Sequence, residues 1–204
     1  ETQNLRISAE GPEYLRSHPL TRDRISFIAG EVDRSPYRGE NYPPEVHTAH
    51  ERMVAKLEGF LGEPMEVLQR RDGDSFADRY ARAVAHFRRG DTDRALEGVR
   101  GLQAELPDDP HLRELEGQIL FESGRITEAV PAYRDALAGV PDAALVRFAL
   151  ARALIESQEP GATEEAAAHL REVVRQEPLS GQAWRFLGIA EGRLGNEGRA
   201  SLAL

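Results

Sequence analysis

The sequence predicts an all-α fold, a stack of helical hairpins preceded by a short helical N-terminal segment. Three observations lead there. Ala83, Gly90, Ala95 and Pro107 recur 34 residues later as Gly117, Gly124, Ala129 and Pro141. A third round, Ala151, Gly161, Ala166 and Pro178, absorbs three extra residues around Gln158 to Gly161, and a fourth runs through Trp184, Leu187, Gly188, Gly195 and Ala200. Within each round the glycine suits the left-handed end of a first helix, and a following proline in the first three rounds closes the second helix and opens the next unit.

A 34-residue period is that of the tetratricopeptide repeat. The fold class is therefore a tetratricopeptide-repeat solenoid of four hairpins, with repeats over about 76–109, 110–143, 144–180 and 181–204. The spacing predicts helix pairs Phe76–Arg89 with Thr92–Glu105, His111–Ser123 with Ile126–Gly139, Ala144–Ser157 with Thr163–Gln176, and Gly181–Leu194 with Glu197–Leu204. Ala83, Gly117, Ala151 and Gly188 sit where the two helices of a hairpin cross closely, a place that a larger side chain would overfill. Such a unit cannot bury its apolar face alone, so the repeats must stack, and stacking builds a concave wall.

Ahead of the repeats the order is less regular. Gly11 and Pro12 interrupt residues 1 to 16 before a short Glu13 to Arg16 turn. Thr21 is placed to cap a helix carrying Ile25, Ile28 and Val32. Three prolines between Pro36 and Pro44 favour an extended connector. A longer helix then runs from Pro44 to about Leu61, with an apolar stripe of Val46, Met53, Val54, Leu57, Phe60 and Leu61 that Gly62 terminates. A shorter helix from Pro64 to about Arg70 leads into the repeats through Asp72, Gly73 and Asp74. At the far end, Leu202 and Leu204 leave the last helix apolar where repeat arrays normally carry a polar cap, which suggests trimming or packing on something else.

Composition narrows the function classes. The net charge of −9 is spread along both halves of the chain, so the electrostatic footprint of a nucleic-acid binder is absent. No run approaches the roughly 18 apolar residues of a membrane span. Zero cysteines remove disulfides, thiolate metal sites and cysteine nucleophiles. The six histidines are His18, His47, His50, His86, His111 and His169. None belongs to an HExxH motif, because the string from His50 to Val54 lacks the second histidine at i+4 that would place two ligands on one helix face. His47 and His50 form at most a weak surface metal site, whereas His86, His111 and His169 read as structural. The glycines mark helix ends rather than a phosphate loop, and Ser8, Ser17 and Ser26 lack the setting of a nucleophile elbow. No catalytic residue is predicted in this chain, and no cofactor.

The candidate site is the concave wall, built from fixed positions of the first helix in each repeat. These are Tyr80, Val84, Phe87 and Arg88 in the first repeat and Glu114, Gln118 and Phe121 in the second. The third adds Leu145, Phe148, Arg152 and Ile155, and the fourth adds Arg185 and Ile189. Aromatic residues mixed with arginine suit a polypeptide ligand, since such anchors carry most of the energy of protein interfaces. The lysine and asparagine pattern that clamps a terminal carboxylate in chaperone-binding repeats is absent, which argues against that role.

The string Tyr14-Leu15-Arg16-Ser17-His18-Pro19-Leu20-Thr21-Arg22-Asp23-Arg24-Ile25 resembles the end of the peptidase domain in bacterial BepA-like zinc metalloproteases, where a similar stretch precedes the repeats. The segment His47 to Leu61, the four repeats and the ending Gly195 to Leu204 are also similar to the C-terminal half of these proteins, particularly alphaproteobacterial ones. The resemblance implies that residues 1–35 are the tail of a peptidase domain, 36–75 a linker and helical segment, and 76–204 the repeats. It implies a periplasmic parent enzyme, associated with the outer membrane, that holds zinc and acts in outer-membrane protein quality control. The repeats would dock polypeptide substrates, outer-membrane assembly proteins or the enzyme's own peptidase domain. His18 and Arg24 are the residues that carry over, with His18 near the metal face of that domain. The different reading is a stand-alone scaffold that assembles partners through the same groove.

Overall fold

The computed structural model describes residues 21–38, 43–157 and 159–203. His18, Arg16 and the Glu13 to Arg16 turn lie outside them, as do Leu204 and the middle of the Pro36 to Pro44 connector. All described regular structure is helical. The chain divides into two compact units, residues 1–47 and residues 48–204. The first contains α1, Thr21–Arg34, whose Ile25, Phe27, Ile28 and Val32 are exposed. Helix α2, Pro44–Leu61, starts there and continues into the second unit, followed by α3, Pro64–Arg70.

The repeats hold eight helices among the described residues. They are α4 (Phe76–Arg88) with α5 (Thr92–Glu105), α6 (Pro110–Glu122) with α7 (Ile126–Gly139), α8 (Ala144–Glu156) with α9 (Ala162–Gln176), and α10 (Gly181–Arg193) with α11 (Glu197–Ala203). Each pairs with its hairpin partner, and each second helix packs on the first helix of the next unit. Helix α3 packs on α4 as a second helix would, so the solenoid is extended at its N-terminal side.

Three of the four first helices, α4, α6 and α10, start on side-chain caps, whereas α8 starts at Ala143 without one. Ser75 accepts from the Asp78 amide, Asp109 from the amides of His111 and Leu112, and Ser180 from the Ala183 amide, which satisfies donors that the first turn leaves open. Pro110, at the first helical position of α6, needs no such partner. The ends of α4, α6 and α10 are set by glycine. Gly90, Gly124 and Gly195 have φ of 77°, 76° and 76°, and the next amide returns to a carbonyl one turn back: Asp91 to His86, Arg125 to Leu120 and Asn196 to Glu191. The third repeat departs from the expected pattern. Gly161 has φ 77° but caps the start of α9, while α8 ends at Ser157 in extended backbone. The three inserted residues separate the glycine from the helix end it serves elsewhere.

The core is built from leucine layers and alanine contacts. Leu102, Leu112, Ile119, Leu120, Leu150, Leu154 and Leu170 are fully buried, each worth roughly 1.5–3 kcal/mol of transfer free energy. At the α6–α7 crossing, a Cβ added to Gly117 would lie 2.8 Å from the Tyr133 ring, which explains why that position is glycine. Buried carboxylates cross-link successive repeats. Glu116 accepts from Arg100 at 2.9 Å and from Gln103 at 2.9 Å, and Glu191 accepts from Arg171 Nε at 2.9 Å and Asn196 at 2.7 Å.

Candidate functional site: an inner face half covered by its own chain

The inner face is the row of first helices α4, α6, α8 and α10. Its N-terminal half is covered by α2. Gly59 lies so close to α4 that an added Cβ would meet Val84 Cβ at 2.7 Å, and Phe60 packs edge-on against Phe87 with ring centroids 6.4 Å apart. The carbonyls of Gly59 and Gly62 accept from the Arg88 guanidinium. Arg52 lies over the Phe76 ring at 5.0 Å and pairs with Asp109 at 2.5 Å, while Lys56 approaches Glu114 at 3.8 Å. The contacts progress in the same direction along both helices, so α2 runs parallel to α4 and reaches across to α6.

The buried face of α2 is its small-residue face. Ala55 and Gly59 are buried, whereas Met53, Leu57 and Leu61 of the expected apolar stripe are 55%, 51% and 78% exposed. Close helix approach requires small side chains at the crossing, and that requirement outweighs the burial of the longer ones. A crevice remains between α2 and the row, lined by Ala49, Arg52, Met53, Lys56, Tyr80 and His111. Burial there holds the Tyr80 phenol well above its ordinary pKa, and it stays protonated.

The expected groove residues therefore divide into two groups. Val84 is fully buried and Tyr80 is 3% exposed, and with Phe87, Arg88 and Glu114 they face the chain's own helix. Gln118 donates to Glu122 at 2.9 Å on the α6 surface. Ile155 is buried, and its carbonyl accepts from Arg193 of α10.

The second group is a continuous aromatic and cationic strip on α6, α8 and α10. Arg152 lies over three rings, at 5.0 Å from Phe121, 5.6 Å from Phe186 and 6.0 Å from Phe148. Phe148 and Phe186 meet edge-to-face at 5.6 Å, and Arg185 also lies over the Phe186 ring, at 5.4 Å. Leu145 stands at one side, 80% exposed, and Ile189 packs partly into the core. Phe186 was not among the expected groove residues. Counting positions from the first helix alone selects Arg185, and only the facing of α8 and α10 shows that the adjacent phenylalanine is the shared ring.

Elsewhere, His169 accepts from Arg147 through Nδ1 at 3.2 Å and faces Glu165, 3.7 Å from Nε2. Burial, reinforced by Arg147, pushes its pKa below the ordinary histidine value. His86 is lowered too, again mainly by burial, with Asp91 opposing. Among the described residues, no three His, Asp or Glu side chains converge as a metal site. No described helix is long and apolar enough to cross a membrane.

Comparison with known proteins agrees with this architecture. No curated protein matches the chain in sequence. Among solved structures, MamA of strain MSR-1 superposes with a TM-score of 0.62 at 19% identity, covering 78% of this chain and 92% of its own. MamA from Desulfovibrio magneticus RS-1 gives 0.63 at 18% identity, covering 76% and 89%. YrrB, a tetratricopeptide protein with an unusual peptide-binding site, gives 0.62 at 16% identity, covering 75% and 80%. At such identities the likeness is one of fold. The tetratricopeptide-repeat family profile matches residues 120–188, the stretch holding most of the aromatic strip, and the chain carries a tetratricopeptide-repeat solenoid.

Proposed function

We propose that this chain is a protein–protein interaction module whose working surface is the open inner face of α6, α8 and α10, and that it recruits polypeptides to a zinc metalloendopeptidase domain. The observation that carries the interaction reading is the strip of Phe121, Phe148, Phe186, Arg152 and Arg185, which is only partly buried. Half-exposed aromatic rings and arginines at the centre of a concave wall are the side chains that dominate protein interfaces. The tetratricopeptide fold supports that reading by placing them on the inner row.

The peptidase partnership rests on the Tyr14 to Ile25 string and its resemblance to BepA-like enzymes. Under it, the parent acts in the periplasm at the outer membrane, zinc is held by the peptidase domain, and His18 lies near that site. Substrates or assembly proteins reach it by docking on the strip.

The test uses the natural gene product that contains this chain, with unfolded outer-membrane protein as substrate. Chelator-sensitive cleavage is expected, with none by the present chain. Phe148→Ala should raise KM several-fold and leave kcat nearly unchanged, because it removes binding and not chemistry. A gene product inert with and without added zinc would contradict the enzyme partnership and leave a stand-alone scaffold as the account.

A further inference from the structure

We infer that the strip recognises an acidic side chain within an extended polypeptide segment, with Arg152 as the carboxylate anchor and Arg185 as a second cationic contact. This rests on the interaction reading above. The chain is acidic overall, with 35 Asp and Glu against 26 Lys and Arg. Most of its repeat arginines are accordingly engaged, among them Arg79 with Glu105, Arg100 with Glu116, Arg134 with Glu165 and Arg171 with Glu191, while Arg89 and Arg199 lie away from the strip's rings. Others donate to backbone carbonyls, as Arg147 does to Pro141 and Arg193 to Ile155. Arg152 and Arg185 make neither kind of contact with any described residue. Both instead lie against Phe186, and the buried Nε of Arg152 has no hydrogen-bond partner.

Two unpaired guanidinium groups sharing one ring, on a protein with surplus carboxylates, form a local positive site of unused donors. Three rings lie within 6.0 Å of the Arg152 guanidinium carbon and restrict the group, and its planar fork of N–H donors is the directional feature that matches a carboxylate. Cation–π contacts hold the group in place without neutralising it. Apolar residues share these helices, with Leu145 highly exposed on α8 and Ile189 partly buried on α10. The wall continues beyond Arg152 in both directions, toward Phe121 on α6 and Arg185 on α10, so a chain passes through it and does not end there. The occupant is therefore an internal segment with Asp or Glu beside apolar residues.

The probe is a random dodecapeptide library displayed with its C-terminus fused to the carrier, so that no free terminal carboxylate is present. It is selected on the wild-type chain and on Arg185→Gln, Arg152→Gln and Arg152→Lys. Arg185 is exposed, so Arg185→Gln keeps the test valid should a change at Arg152 disturb folding. Selection on wild type should enrich Asp and Glu next to apolar residues. A selected peptide, followed by fluorescence anisotropy, should lose about tenfold or more in affinity with Arg152→Gln and several-fold with Arg185→Gln. It should also weaken with Arg152→Lys, since an ammonium lacks the planar fork. Binders without acidic preference, yet weakened by Phe148→Ala, would overturn the inference while leaving the interaction reading standing. Acidic peptides bound equally by wild type and Arg185→Gln and Arg152→Gln would overturn it as well. Enrichment appearing only when the library is redisplayed with free C-termini would overturn the internal-segment assignment. A library that yields no binder in either format would contradict both the inference and the interaction reading.

Discussion

Gly124 shows how much a single residue fixes. Its φ of 76° lies in the left-handed region, where a Cβ costs roughly 1–2 kcal/mol, and open space around it removes any other penalty. Gly124→Ala should therefore lower stability by about 1 kcal/mol in denaturant melts, through backbone conformation alone; no change would mean the helix end is set otherwise. His169 makes a second prediction. Its folded pKa lies below its unfolded value of 6.5, so the unfolded chain binds the proton more readily. Stability is fully present above pH 6.5 and falls as the pH drops through the window below it. His169→Gln should flatten that part of the Tm profile; an unchanged slope would contradict the role given to burial. Glycines of this kind are legible in a sequence because only one residue type satisfies the backbone. The state of His169 is not, since it depends on Arg147 and Glu165 arriving from other turns.

At the scale of the element, helices α4 to α11 follow the repeat spacing to within a residue at most ends, because caps and left-handed glycines are local signals. Helix α2 was legible as a helix but not in its orientation. A period of 3.6 identifies an apolar stripe, and the stripe of large residues was the natural choice for the buried side; of that stripe Phe60 packs on α4, but Met53, Leu57 and Leu61 are exposed, and the buried positions are Ala55 and Gly59, with Gly59 against α4. The i, i+4 pair of small residues between charged ones was the available sign. Gly59→Val should push α2 away from Val84 and destabilise the chain by about 1–3 kcal/mol, with faster hydrogen exchange in α2 than in α8. Uniform exchange in both helices would show that α2 is not held at that crossing. Placement on the inner face is a tertiary property that no local pattern encodes, which is why Tyr80 and Val84 counted equally with Phe148 in the sequence.

For the solenoid as a whole, covering one half of the inner face confines partner binding to the other. Helix α2 covers the first repeat through Phe60 and Arg52 and reaches the start of α6 through Arg52 and Lys56, and the remaining inner face presents the aromatic strip. Partner binding then belongs to α6, α8 and α10, and removal of α2 is not needed for it. The most direct measurement is site-specific photo-crosslinking in cells, with a photoreactive phenylalanine analogue placed singly at Phe148, Phe186, Phe87 and Asp135. The account predicts polypeptide adducts from positions 148 and 186, with none from position 87 beneath α2 or from position 135 on the outer helix α7. Adducts from position 87 or 135, with none from 148 and 186, would contradict it.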